Sequence, residues 1–251
     1  MKISIITVVY NAESTILDTL EAVATQTYTN IEHIVVDGAS TDGTMDRIEQ
    51  SNYQPTCVVS EPDSGIYDAM NKGIALATGD MIGLLNADDV YQSNSVLAQV
   101  AAVMADAELD ACYADLVYVK SQDLSAVTRY WRSREYAPGL CFRGWMPAHP
   151  TFFLRRSAYT EIGPYRADLK YQADLEFCAR AFEQHKIRSR YVPELWVRMR
   201  LGGVTNNSFR TMWHGNWESY RALKALGMRR NPLWYFCLKF GAKIPQFIFR
   251  R

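Results

Sequence analysis

The chain has 251 residues, nearly half of them apolar, with 27 basic and 27 acidic side chains. That composition describes a globular protein of one large domain, or a domain with an appended segment, and excludes a disordered or fibrous one. No uninterrupted apolar run of about 18 residues is present, so a transmembrane helix is not expected.

The opening MKISIITVVYNAES has one lysine and a short apolar run stopped by Asn11 and Glu13, so no signal peptide is expected. The five cysteines are odd in number and form no CxxC pair, which argues against a disulfide framework or a zinc site and fits a reducing cytosol. The net charge of zero hides an asymmetry. Before Lys120 there are three basic and eighteen acidic residues; from Lys120 onward, twenty-four basic and nine acidic. The acidic half suits a divalent cation and the basic half suits phosphates or an anionic surface, unless the split reflects only differently solvated faces.

Taken in order, Lys2–Val9 reads as a strand, Glu13–Thr27 as a helix, Ile31–Val36 as a strand and Gly43–Gln50 as a helix capped by the Ser40–Asp42 segment. Thr56–Ser60 is strand, Tyr67–Ala77 helix, Met81–Leu85 strand, Ser93–Ala105 helix and Ala111–Val119 strand. Near-continuous apolar strands alternating with helices imply an α/β protein with a mainly parallel, buried sheet. Ser121–Gly144 reads as irregular, Thr151–Leu154 as strand and Asp174–Gln184 as helix. After Glu218 no acidic residue remains, and Lys224–Arg251 carries six large aromatics among basic residues. This segment is expected either to lie against a membrane surface or to form a helix pair packed on the domain. Pro232 and Pro245 break any single long helix.

In a parallel sheet, ligands sit outside the carboxyl ends of the strands, and the polar clusters fall there. Asp88 and Asp89 follow a buried strand directly. Neighbouring carboxylates repel unless a cation or donors neutralise them, and a hard divalent ion, Mg²⁺ or Mn²⁺, would do so while binding diphosphate oxygens. An Asp pair also serves as a helix cap or loop. Gly38 permits close backbone approach, Asp42 and Thr44 can cap the next helix, and Asp37 is left to accept hydrogen bonds. Asp68, Asn71 and Lys72 share one helical face, toward a ligand or toward solvent.

The series TVVYN (Thr7–Asn11), DGASTDGT (Asp37–Thr44), EPDSGIYDAMNKG (Glu61–Gly73) and NADD (Asn86–Asp89) resembles the family 2 inverting glycosyltransferases of the GT-A fold. The likeness is strongest to the bacterial branch building capsule, exopolysaccharide and O-antigen. It continues through HPTFF (His149–Phe153), YQADLEF (Tyr171–Phe177) and GGVTNNS (Gly202–Ser208), and so covers roughly residues 1–210. The resemblance implies a Rossmann-like GT-A domain over 1–210, with a nucleotide-binding half (1–119) and an acceptor half (120–210), and a basic aromatic helical extension over 211–251. It implies that Asp37 accepts from the nucleotide base, with Val8 and Tyr10 shaping the pocket, and that Asp68, Asn71 and Lys72 lie along the nucleoside. Asp88 and Asp89 match the DxD-type metal motif, Asp89 as the direct ligand. Asp174 matches the catalytic base, with Glu176 as the substitute. His149, Glu176, Gly202 and Gly203 would meet the acceptor, the two glycines in a loop that closes. The implied partners are a nucleotide diphosphate-sugar, UDP preferred to GDP, and a glycan or lipid-linked acceptor, at the cytoplasmic face of the membrane. Val8 and Met70 depart from the pattern: a threonine hydroxyl is lost at one and an arginine at the other, leaving phosphate neutralisation to Arg198 or Arg200.

Sugar transfer needs a carboxylate to deprotonate the acceptor hydroxyl and cations to stabilise the leaving diphosphate. A sugar nucleotidyltransferase would need a glycine-rich, basic loop after the first strand, where Asn11-Ala12-Glu13-Ser14 stands instead. A catalytically inactive binding protein would have lost the carboxylates, and no nucleic-acid recognition motif accompanies the basic half.

Overall fold

A strand covered by helices on both faces has no polar side to show, and the first strand, β1 (Ile3–Val9), is buried along its whole length. Its side chains alternate between two cores: Ile6 and Val8 point into one, Ile3 and Ile5 into the other. The structure is a computed structural model that describes residues 1–202 and 209–241.

Around β1, the strands β2 (Ile31–Asp37), β3 (Cys57–Ser60) and β4 (Met81–Leu84) form a parallel block in the order β3-β2-β1-β4. The helices α1 (Ile16–Ala24), α2 (Thr44–Glu49) and α3 (Ile66–Leu76) make the crossovers. In α1 the buried positions Ile16, Thr19, Leu20 and Val23 follow the helical repeat that puts them on one face. A Cβ at Gly73 would collide with Ile6, so glycine there lets α3 lie close on β1.

The second half comprises β5 (Val90–Tyr91), α4 (Val96–Val103), β6 (Ala111–Lys120), β7 (Asp123–Trp131), β8 (Phe153–Arg155), α5 (Arg156–Ile162), α6 (Ala173–Ala179), β9 (Ser189–Arg200), α7 (Phe209–Ala225) and α8 (Pro232–Gly241). The sheet continues β4-β8-β6-β9-β5, with β7 also on β6. β8 runs antiparallel to β4 and β6, and β5 and β7 are antiparallel to their partners, but β6 and β9 form a long parallel ladder. The sheet is therefore mostly parallel, as the α/β pattern implies.

The second half departs from the sequence reading in detail. The segment expected to be irregular carries β7, which projects as a hairpin from β6 with exposed and half-buried positions alternating. It has no continuous apolar run because only one side of it is covered. β9 was not anticipated: its early residues, Pro193 and Glu194 among them, are largely exposed, and full burial comes only at Trp196, Val197 and Arg200. The strand expected from Thr151 begins at Phe153, after one 3₁₀ turn over His149–Thr151. The helix expected over Asp174–Gln184 stops at Ala179 and continues as a single π turn, Arg180–Gln184.

The basic aromatic segment forms the α7–α8 helix pair. Leu223 and Tyr235 are fully buried in the core cluster that holds Ile6 and Phe177. Lys239 is buried, with Nζ donating to Gln172 Oε1 (3.1 Å) and Ser219 Oγ (2.9 Å). The pair thus packs on the domain, although Trp213, Leu233, Trp234 and Phe240 remain exposed. Pro245, Phe247 and Phe249 lie outside the described residues.

His33 on β2 is completely buried; its Nε2 sits 2.9 Å from Thr7 Oγ1, its Nδ1 has no partner among the described residues, and burial lowers its pKa to about 3. Below pH 6.5 the unfolded chain takes up a proton that the folded chain refuses. Stability from this site is therefore complete above pH 6.5 and falls toward pH 3, by at most about 1.4 kcal/mol per pH unit. Glu32, held at about 2 against burial by bonds from Lys2, Ser4 and Thr78, adds a second loss between about pH 4.5 and 2. Urea midpoints should thus drop between pH 6.5 and 5, and His33→Gln should flatten that part of the profile while leaving the lower part.

Candidate active site at the strand ends

The carboxyl ends of β1, β2 and β3 are tied to one another. Asn11, which follows β1 with a positive φ of 50°, donates its N–H to Ser40 Oγ (2.8 Å), and its Oδ1 accepts from the N–H of Thr41 (2.8 Å). Asp37, the last residue of β2, is fully buried. It accepts from the Ser40 N–H (3.0 Å), the Ser40 hydroxyl (2.5 Å) and, across β3, the Ser60 hydroxyl (2.6 Å). Asp42 accepts from the N–H and hydroxyl of Thr44, opening α2. A Cβ at Gly38 would strike the Asp63 carboxylate, so the close approach this glycine allows is taken by the loop after β3. Val8 is buried within β1, whereas the Tyr10 ring, just beyond the strand end, stands 64 % exposed.

The shared polar face of α3 fastens neighbouring chain. Asp68 accepts from the Ser64 N–H (2.9 Å). Lys72 Nζ pairs with Glu61 (2.8 Å) and donates to the Pro62 carbonyl (2.8 Å). Asn71 holds Tyr165 from both sides: its Nδ2 donates to the Tyr165 carbonyl and its Oδ1 accepts from the Tyr165 N–H, both at 2.8 Å. Met70 is buried, so no cation occupies that position.

The loop after β4 is the most strained electrostatically. Asp89 is fully buried, Asp88 partly so. Burial raises the Asp88 pKa, and burial followed by the Asp88 charge raises that of Asp89 well above the usual carboxylate range. Asp89 Oδ2 accepts a long bond from Asn86 Nδ2 (3.3 Å) and the Arg200 backbone N–H favours its charged form, while Asp89 Oδ1 and Asn86 Oδ1 are buried with no partner among the described residues. Such orphaned oxygens call for a ligand. They fit a hard cation, although among the described residues no cluster of three or more His, Cys, Asp or Glu could hold one alone. Two carboxylates would need diphosphate oxygens and water to complete the coordination.

The loop's backbone is braced from two sides. The Thr19 hydroxyl on α1 donates to the Asp89 carbonyl (2.8 Å). Arg200, at the end of β9 and only 6 % exposed, donates to the carbonyls of Asp88 (2.8 Å) and Ser121 (3.0 Å) and pairs with Asp18. Arg200 is therefore a fastener whose charge also steadies both carboxylates; Arg198 donates to the Leu124 carbonyl (2.7 Å). Sequence reasoning missed Thr19 and Asp18, which look like ordinary first-turn residues of a helix, and offered Arg200 only as a phosphate contact.

Asp174 opens α6, half-buried, one oxygen accepting from the Leu175 N–H. Its charge reaches Tyr67, Tyr118 and His149. Burial raises the pKa of Tyr118, on β6, to about 12 against the Arg129 charge, and the Asp89 and Asp174 charges add to the rise. His149 is buried, Nε2 3.0 Å from the Tyr165 hydroxyl, and burial lowers its pKa. Glu176 is buried against Arg180, which donates to both its oxygens (2.9 and 3.0 Å) and to the carbonyls of Ile162 and Pro164. Gly202 is exposed with φ +135°, a conformation that favours glycine; Gly203 lies outside the described residues.

The model of the family described as "Glycosyl transferase family 2" matches residues 4–163. A "PGL/p-HBAD biosynthesis glycosyltransferase" of Mycobacterium bovis is 32% identical over 208 residues, covering 81% of this chain and 78% of that protein. The Escherichia coli "UDP-Glc:alpha-D-GlcNAc-diphosphoundecaprenol beta-1,3-glucosyltransferase WfaP" is 26% identical over 229 residues, covering 90% and 87%. Among solved structures, S. aureus TarS 1-349 in complex with UDP aligns with a TM-score of 0.67 at 19% identity, over 100% of this chain and 73% of that one. This chain spans only 44% of the longer TarS chain. The mannosyltransferase PcManGT of Pyrobaculum calidifontis, in complex with GDP-Man and Mn²⁺, aligns at 0.62 and 17%, over 99% and 81%. The structural likenesses establish the GT-A fold.

Because the folded state raises the Asp89 pKa, its ionised form destabilises the empty protein at neutral pH. Asp89→Asn should raise the melting temperature in EDTA by several degrees, at about 2–4 °C per kcal/mol for a chain of this size. The gain should shrink as pH falls, when wild-type Asp89 takes up its proton. Equal melting temperatures at pH 8 would show that the carboxylate is already neutralised within the chain.

Proposed function

The chain belongs to glycosyl transferase family 2, and from that premise we propose that it transfers a sugar from a nucleotide diphosphate-sugar, UDP in preference to GDP, to a glycan or lipid-linked acceptor, with inversion, in bacterial surface polysaccharide synthesis. The observation that carries this reading is the strain at Asp88 and Asp89: two carboxylates at the end of a buried strand, with an orphaned oxygen on Asp89. WfaP acts, by its name, on a UDP-sugar and a diphosphoundecaprenol-linked acceptor, and TarS binds UDP.

Asp37, Val8 and Tyr10 form the base pocket, and Asp68, Asn71 and Lys72 its nucleoside side. Asp89, with Asp88, would hold Mg²⁺ or Mn²⁺, which would supply positive charge for the leaving diphosphate. Asp174 is the base. It is half-buried at a helix start and keeps an oxygen outside the Leu175 bond, whereas Glu176 has both oxygens on Arg180. Asp174 takes the acceptor hydroxyl proton as that oxygen attacks the anomeric carbon, and the diphosphate leaves with the electron pair of the old bond. A single displacement inverts the configuration. His149, Gly202 and Gly203 lie on the acceptor side.

A melt with UDP or GDP, each with Mn²⁺ and with chelator, tests the donor site. A nucleotide at a hundred times its dissociation constant adds about 2.7 kcal/mol, so a Mn²⁺-dependent rise of several degrees with UDP is expected. Asp174→Asn should keep that rise and lose transfer by at least about 100-fold; an active Asp174→Asn enzyme would remove the base assignment.

No helix among the described residues is long and apolar enough to cross a membrane. The exposed Trp213, Leu233, Trp234 and Phe240, with Arg221, Lys224 and Arg229 nearby in sequence and also exposed, support peripheral contact with an anionic membrane face. The Leu233→Ser/Trp234→Ser double variant should therefore lose flotation with phosphatidylglycerol vesicles and keep its melting temperature. Undiminished flotation would mean that this face is not the contact.

A further inference from the structure

Glu218 is the last acidic residue of the chain, and the one acidic side chain on the otherwise basic helices α7 and α8. A face meant only for solvent or an anionic surface has no use for it, and its partners lie inward. Its Oε1 accepts from the Lys170 N–H (2.5 Å) and its Oε2 from the Tyr171 N–H (2.8 Å). One carboxylate thus takes two consecutive backbone donors, one on each oxygen, in charge-assisted bonds roughly twice as strong as neutral ones.

The next residue, Gln172, is the N-cap of α6, and its carbonyl accepts from the Glu176 N–H (3.2 Å). Its side chain is fixed as well. Nε2 donates to the Tyr171 carbonyl (2.9 Å), and Oε1 accepts from Lys239 Nζ, which also donates to Ser219 beside Glu218. A Cβ at Gly215 would come within 3.2 Å of the Tyr171 Cβ, so α7 lies against the same turn. Three consecutive residues are therefore held by α7 and α8, and α6 starts immediately after them. Farther along α6, Arg180 ties Glu176 to the carbonyls of Ile162 and Pro164, which anchors the body of the helix but not the turn before it.

Asp174 is the second residue of α6, and one of its oxygens accepts from the Leu175 N–H (2.8 Å). The carboxylate is thereby tied to the first turn, and where that turn begins fixes where its second oxygen stands. Resting on the transferase reading above, in which Asp174 is the base, we propose that Glu218 is a positioning residue for the transfer step. Its carboxylate clamps residues 170–172 and so sets the distance from Asp174 to the acceptor hydroxyl, while touching neither substrate. The acceptor proton passes to Asp174 as the acceptor oxygen bonds to the anomeric carbon, and the diphosphate leaves with the electron pair of the old bond. Glu218 takes no part in that exchange. A displacement of about 1 Å at a reacting group costs on the order of 100-fold in rate, so loosening the clamp acts on kcat. The pocket around Asp37 is built from the ends of β1, β2 and β3, so donor binding is independent of it.

Glu218→Gln keeps the size of the side chain but leaves one oxygen for the two N–H groups. With UDP-glucose and UDP-N-acetylglucosamine as donors, and phenyl glycosides and a diphosphate-linked glycan lipid as acceptors, kcat should fall about 10-fold or more. The donor KM, and the Mn²⁺-dependent rise in melting temperature with UDP, should stay within about twofold. Leu223→Ala is the structural control: it empties a fully buried position on the same helix without touching the turn. It should lower the melting temperature at least as much, yet keep kcat within about twofold of wild type well below its melt. If Glu218→Gln does not fold, Gly215→Ala, which keeps both bonds but pushes on Tyr171, must show the same loss of kcat at unchanged donor KM. A kcat within about twofold of wild type in the folded variant, a loss lying wholly in KM, or an equal loss in Leu223→Ala would overturn the role of Glu218 alone. A wild-type chain that transfers sugar to none of these acceptors overturns the transferase reading, and the role of Glu218 with it.

Discussion

Two carboxylates held out of water side by side repel each other, and the molecule is arranged around keeping Asp88 and Asp89 there. Burial and mutual repulsion both oppose their ionisation. The loop would turn them toward solvent unless its backbone were fixed, and it is fixed from two directions. Thr19 reaches it from α1, the first helix of the chain, and Arg200 from β9, the last strand. Arg200 in turn is paired with Asp18, one residue from Thr19, so the brace is a closed circuit of α1, the acidic loop and β9. A cation bound between the two carboxylates would relieve that strain.

A second circuit holds the turn before the proposed base. Glu218 on α7 accepts from the N–H groups of Lys170 and Tyr171, and Lys239 on α8 donates to Gln172. These three residues directly precede α6 and Asp174. A Cβ at Gly215 would press on Tyr171 at 3.2 Å, so α7 lies close to this turn. The helix pair read from sequence as a surface appendage therefore helps set the position of the proposed base. Its outward aromatic face and its inward polar contacts belong to the same two helices.

The first half of the fold was legible because its physics is local. Fully buried parallel strands need continuous β-branched runs, and crossover helices need a 3.6-residue repeat, so residues 1–119 reveal their order directly except for β5, whose two residues are too short to show a period. The second half obeys longer-range rules. β7 is a half-covered hairpin and β9 a strand whose polar first half leans on β6, so neither has a one-dimensional signature. The site divides in the same way. Asp37, Asp88, Asp89 and Asp174 follow from motifs at strand and helix ends. What Asn71, Lys72 and Glu176 touch does not, because their partners Tyr165, Glu61 and Arg180 are matched only in three dimensions. Asn71 reads as a ligand contact by type and spacing, yet its carboxamide meets the backbone of a residue 94 positions away.

Met70 shows why side-chain identity has to be judged with its surroundings. An apolar residue there is buried against the core cluster that contains Tyr67 and Phe177. A guanidinium in that place would need partners, and the nearby acidic groups are engaged: Asp68 with Ser64, Glu61 with Lys72. An apolar residue at this position therefore suits the packing of α3 against the core. The basic residues of the second half cannot simply move in, since Arg200 and Arg180 are committed to carbonyls and carboxylates that hold the loops in place.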